Sequence, residues 1–135
     1  RASGGPLRRS LYLPIIRNDL PPFLTVFDFA DPDVVTGRRS VTNVPEQALL
    51  MLNSPFVREC ATAVAGKMLA TQKLQSDEER VEWIYRTVLN RPSTSTETNQ
   101  ALAFLRNGTE SEISKADWSR FCQTIFATSE FRILN

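Results

Sequence analysis

The chain contains no histidine. That removes the side chain most used as a general base near neutral pH and the commonest metal ligand. Catalysis by a serine or cysteine activated through a histidine is excluded with it. Cysteine is scarce as well. Cys60 and Cys122 form no Cys-x-x-Cys pair, so this stretch encodes neither a c-type haem attachment nor a zinc ribbon. No apolar run approaches the roughly 20 residues that cross a bilayer, so direct membrane insertion is not expected. An excess of one charge is also missing: 16 Lys and Arg stand against 15 Asp and Glu, for a net charge of +1. Nucleic-acid binders of this size carry a clustered basic excess, and none is visible, so no nucleic-acid partner is expected. The first residue is Arg1 rather than Met and no signal peptide is visible, which leads us to expect a piece of a longer chain.

What is present suits one helical domain. The 135 residues are enough to bury a core without metal or disulfide support, and 41% apolar with 23% charged residues is ordinary globular composition. Six of the eight prolines fall within residues 1–45. Those at 14, 21, 22 and 32 forbid a long helix there, because each lacks an N–H and restrains the residue before it. "LYLPII" and "FLTVFDF" are apolar, aromatic and partly β-branched, so they read as short extended segments in an ordered arm, residues 1–44, with Tyr12, Phe23, Phe27 and Phe29 turned onto a core.

From Asn43 the pattern becomes helical. Asn43 with Glu46 makes a capping-box pair before "PEQALLMLN", and Ser54-Pro55 sets an N-cap with proline at the first helical position. Val57, Cys60, Ala61, Val64 and Met68 then form one stripe. Ser76 with Glu79, Thr94 with Glu97, and Ser114 with Asp117 repeat the capping signature. Behind them run Val81, Ile84, Tyr85 and Val88; Ala101, Leu102 and Leu105; and Trp118, Phe121, Cys122, Ile125 and Phe126. Ile113 occupies the staple position for Trp118. The expectation is a mainly α protein: a small bundle of about five helices over residues 45–135, preceded by the extended proline-rich arm. Trp83, Trp118, Phe104, Phe121, Phe126 and Phe131 are expected in its core.

Asp28, Asp31 and Asp33 raise the main functional question. Carboxylates are calcium ligands and acid–base groups, but this cluster lacks the glycine, the closing glutamate and the span of an EF-hand loop. Asp31-Pro32 is also a turn starter, and Arg38 or Arg39 offers an ion-pair partner. One reading is a clamp: the Asp-Pro turn reverses the arm, Arg39 ties it to an aspartate, and Asn43 caps the helix starting at Pro45. The other makes Asp28 or Asp31 a general acid or base, with Arg39 steering an anion. Arg8, Arg9, Arg17, Arg38 and Arg39 either pair with the arm's own aspartates or converge on an anion. Cys60 and Cys122 read as free thiols packed as small hydrophobes, with an inter-helix disulfide as the alternative. "NGT", Asn107 to Thr109, fits both a glycosylation acceptor and a glycine turn.

These residues also carry a resemblance. "RRSLYLPIIRN" and "PPFLTVFDFADPDVVTGRRSVTNVPEQALLMLNSPFV" resemble domain-of-unknown-function family 1553 of large planctomycete proteins. The matching positions are Arg8, Arg9, Ser10, Tyr12, Pro21, Pro22, Phe27, Asp28, Asp31, Pro32, Arg39, Thr42, Pro45, Gln47, Ala48, Leu49, Leu52, Asn53 and Phe56. "ERVEWIYRTVLNRPST" and the closing "FATSEFRILN" resemble the family's C-terminal helices. Ile84 to Arg91, with the "SEF" ending, is similar to small helical modules of bacterial surface proteins.

The resemblance implies the C-terminal part of the family domain in an exported, periplasmic or surface-attached multidomain protein. It also implies neighbouring domains as partners, among them a cytochrome c domain holding haem outside this stretch. It implies no catalytic residue, cofactor or metal site here. The expected function is a non-catalytic structural or interaction module, with a carboxylate-based hydrolase or anion- or glycan-binding site as the alternative. Asp28, Asp31, Arg38, Arg39, Thr42, Gln47 and Asn53 are the candidate motif residues.

Overall fold

The computed structural model describes Ile16 and residues 22–27, 45–106 and 112–133. The chain divides into two compact units, Arg1–Gln47 and Ala48–Asn135. Seven helices occur among the described residues: α1 (Pro22–Val26), α2 (Pro45–Asn53), α3 (Pro55–Leu69), α4 (Asp77–Leu89), α5 (Ser95–Arg106), α6 (Lys115–Phe126) and α7 (Ser129–Arg132). The protein is mainly α, and residues 48–135 form a small helical bundle.

In the first unit, Ile16 of "LYLPII" lies in an isolated β-bridge, in keeping with an extended segment. "FLTVFDF" departs from expectation, because Pro22–Val26 is helical. Proline's fixed φ already suits a helix, and its missing N–H is not needed in a first turn. The strand preference of Thr25 and Val26 is too weak and context-dependent to override that start. The reading of Tyr12, Phe23 and Phe29 as inward-facing falls outside what is described.

In the second unit, α3 packs along α6, and α4 touches α3, α5, α6 and α7. Alanines make the long α3–α6 contact possible, since α3 buries Val57, Ala61, Ala65 and Met68. Cys60 and Val64, expected on that stripe, are half-buried at its edge. The stripe of α6 is buried in full: Trp118, Phe121, Cys122, Ile125 and Phe126. Phe121 is the hub of the core's aromatic contacts, with ring centroids 6.3 Å from Trp118, 6.3 Å from Phe104 and 6.4 Å from Tyr85. Both cysteines are free thiols. Burial pushes the Cys122 thiol up to about 12, so it behaves as a small hydrophobe rather than a nucleophile.

Three aromatics expected in the core are placed elsewhere. Phe104 and Phe131 are exposed and Trp83 is half-buried. Trp83 follows Val81 by two residues, about 200° around the helix, so it faces away from the stripe of Val81, Ile84 and Tyr85. Phe104 sits beside rather than on the Ala101–Leu105 stripe, with one side against Phe121. Phe131 belongs to a four-residue helix and stacks on Phe126 at 4.9 Å.

The helix starts follow the sequence closely. Ser76 accepts a hydrogen bond from the Glu79 N–H and Ser114 accepts one from the Asp117 N–H, each with the reciprocal carboxylate bond of a capping box. Thr94 and Glu97 do the same for α5 at 2.8 and 3.2 Å. Ser54 holds the cap position of α3 without a side-chain bond, and Pro55 at N1 has no N–H to satisfy. The end of α4 was not foreseen. Asn90 adopts a left-handed conformation (φ 56°), which its short polar side chain tolerates, and this turns the chain toward Arg91.

Candidate functional site

Two of the seven candidate residues lie in the described part of the chain. Asp28, Asp31, Arg38, Arg39 and Thr42 lie outside it. So do Arg8, Arg9, Arg17, the Asn43 cap and the Asn107–Thr109 motif. Gln47 is only 3% exposed, and its Nε2 donates to the Val26 carbonyl at 3.1 Å. This satisfies one of the carbonyls that the end of α1 leaves open, and a buried amide without such a partner would cost roughly 1–3 kcal/mol. Asn53 is exposed, and its Nδ2 donates to the Leu49 carbonyl one turn back, at 2.8 Å. Six residues separate Gln47 and Asn53 on α2, about 240° of rotation, so they do not converge on a shared site.

A second polar cluster escaped the sequence reading. Arg91, just past α4, holds Glu130 of α7 through Nε at 2.5 Å and Nη2 at 2.8 Å. The same guanidinium holds Glu97 of α5 at 2.6 and 3.0 Å, donates to the Pro92 carbonyl, and lies 5.4 Å from the Tyr85 ring centroid. Hydrogen bonds from Arg91, then from Thr94, hold the Glu97 carboxyl down at about 2. Arg91 lowers Glu130 as well, and the two glutamates raise Arg91. Burial raises the Tyr85 phenol. Every charge here is engaged and ionised at neutral pH, so the cluster offers neither a proton donor nor a free nucleophile. It is a tie between α4, α5 and α7. Three residues scattered over 39 positions carry no periodic signal, which is why pattern reading missed them.

Gln123 of α6 is a further missed residue. Its Nε2 donates to the Leu52 carbonyl at 2.7 Å and the Met51 carbonyl at 3.3 Å. The last turn of α2 is thereby fixed to the bundle, with Met51 buried beneath it. On its outside stand Leu49, Leu52 and, at the start of α3, Phe56. They are 56%, 44% and 52% exposed. Spacings of three and four residues put three large apolar side chains along one elbow.

Beside this elbow runs an open groove of about 590 Å³ along α3, lined by Pro55, Arg58, Glu59, Thr62, Ala63, Gly66 and Lys115. Thr62 meets Ser119 of α6 at 2.9 Å in its wall. Among the described residues there is no group of three or more side chains placed to hold a metal ion, and no helix long and apolar enough to cross a membrane.

A family model described as "PSD1: Protein of unknown function (DUF1553)" matches residues 1–105. It takes in both candidate residues, the elbow and most of the α3 groove, and stops within α5. The closing "FATSEFRILN", read above as part of the same resemblance, lies beyond the match. No curated protein and no solved structure matches the chain.

Proposed function

The chain belongs to the PSD1 (DUF1553) family of proteins of unknown function, and from that premise we propose that it is a non-catalytic helical module that docks onto a neighbouring domain. The observation that carries this is the α2–α3 elbow. Leu49, Leu52 and Phe56 are exposed at a turn whose α2 end Gln123 ties to α6. Large apolar side chains cost solubility when exposed, and a cluster of them on a tied turn loses little entropy on docking. On this reading the neighbour is another domain of a large exported bacterial protein of the planctomycete type, periplasmic or surface-attached. A cytochrome c domain that holds the haem is the candidate the resemblance suggests. The module itself needs no cofactor.

The test uses the full-length protein with a photo-crosslinking residue in place of Leu52. Cross-links to a second domain of the same polypeptide, or to its cytochrome c domain, are expected, and Phe56→Ser should reduce them. Absence of cross-links above those from an exposed control position such as Gln100 sinks the reading. The alternative, a carboxylate site built on Asp28 and Asp31 with Arg39, has its own discriminating experiment. Asp28→Asn and Asp31→Asn would abolish turnover of a glycan, ester or phosphate substrate at unchanged melting temperature if that reading held. In the module reading no such turnover exists, and the substitutions act on stability alone.

A further inference from the structure

The charges around the α3 groove say what kind of surface the elbow meets. Among the described residues, arginine side chains are tied almost without exception: Arg80 and Arg106 to Asp77, Arg86 to Glu82, Arg91 to Glu97 and Glu130, Arg120 to Asp117, and Arg132 to backbone carbonyls. Arg58 is the exception, since its guanidinium makes no ion pair or hydrogen bond with the described residues. Lys115 likewise pairs with no carboxylate among the described residues, and its Nζ lies over Gly66, 3.7 Å from where a Cβ would stand. Both line the same groove. Glu59 also lines it and pairs with neither, which leaves the groove one positive charge in excess. Phe56 stands about 200° around α3 from Arg58, so the two flank the helix rather than pair, and aromatic and arginine side chains are each enriched at protein interfaces.

We propose that the groove and the elbow together dock an amphipathic helix of a partner domain, with its apolar face on Leu49, Leu52 and Phe56 and carboxylates meeting Arg58 and Lys115. Pro55 to Gly66 runs about 16 Å along α3, which matches about three turns of a docked helix. The floor suits close approach, because Thr62, Ala63 and Gly66 are small. No sheet edge is present among the described residues of 48–135, so strand addition is not the mode available. An arginine fork that pairs with no acid among the described residues favours a carboxylate, which it grips with two parallel bonds. The inference rests on the docking-module reading and adds the chemistry of the partner.

The test compares two fluorescein-labelled helical peptides of about 14 residues, with the same leucine face but glutamates in one and lysines in the other, titrated into the whole chain. The glutamate peptide should bind at least about tenfold more tightly, and the preference should shrink as salt is raised from ~50 to ~300 mM. Arg58→Glu with Lys115→Glu should reverse the preference, and Lys73→Glu, away from the groove, should leave it intact. Equal binding of the two peptides, binding of neither, or a preference untouched by the double substitution would overturn the inference. So would self-association of the chain that the double substitution abolishes, since a second copy would then be the occupant. If Leu52→Ser with Phe56→Ser removes binding while charge reversal does nothing, the docking reading survives and the acidic partner does not.

Discussion

The Arg91 cluster and the α3 groove are built from the same kinds of residue to opposite ends. Around Arg91, one guanidinium is shared between two carboxylates, a carbonyl and the Tyr85 ring, and three helices are joined by it. At the groove, Arg58 of α3 and Lys115 of α6 pair with no carboxylate among the described residues, the neighbouring Glu59 included, and stand next to apolar side chains left in water. Satisfied charges stabilise a fold, whereas unsatisfied ones on a rigid frame are available to something else. The contrast separates the part of the bundle that holds itself together from the part that faces outward.

The largest effect that would sharpen this contrast lies in the core between the two regions. Trp118→Ala removes a fully buried ring packed on Phe121 and should cost about 3–5 kcal/mol in urea denaturation, a large fraction of the roughly 5–15 kcal/mol that holds an ordinary domain folded. A loss under about 1 kcal/mol would mean that α6 is not the centre of the core.

Next come the caps. Ser76→Ala and Thr94→Ala each leave N-terminal amides without their side-chain acceptor and should cost about 1 kcal/mol apiece. Ser54→Ala should cost less than either, because no side-chain bond is made there.

The Arg91 cluster is best tested by acid. The Glu97 carboxyl is held at about 2 against an ordinary 4.5, and Glu130 is lowered too, so folding favours their ionised forms. Their contribution is complete above about 4.5 and is lost as pH falls toward about 2. The melting temperature should therefore drop across that window in the wild type, and drop less in Arg91→Ala. Parallel acid profiles for the two proteins would show that the cluster is not a working tie. Substitution by lysine should rescue only part of the effect, since an ammonium cannot grip two carboxylates as a fork does.

The smallest stability effect belongs to the outward face. Phe56→Ser and Leu52→Ser should change unfolding free energy by no more than about 0.5 kcal/mol, in spite of the size of the side chains removed. A loss of core magnitude at either site would mean that the elbow is part of the fold, and the docking reading would lose its basis.

The sequence by itself determined the five helices α2 to α6 and the capping boxes of α4, α5 and α6. These are local matters: the Ser-x-x-Glu, Thr-x-x-Glu and Ser-x-x-Asp signatures act within four residues, and apolar spacing of three and four marks which face turns inward. It determined the α6 stripe completely, because five apolar residues on one face leave no other choice. It also made the family readable, through the motif that runs from Arg8 to Phe56. The helical start at Pro22 was decided by proline's geometry against the strand preference of the residues that follow.

What the tertiary structure decided is where non-local partners meet. Gln47 reaches back to Val26 across 21 positions, Gln123 reaches the end of α2 across 71, and Arg91 finds Glu130 across 39. Whether an aromatic beside a buried stripe is covered followed from neighbours as well: Phe104 and Phe131 carry the same hydrophobicity as their buried counterparts and remain exposed. Periodicity says that a side chain is on a face. Only the packed bundle says whether another helix covers it, and around Leu49, Leu52, Phe56 and Arg58 none of the described helices does.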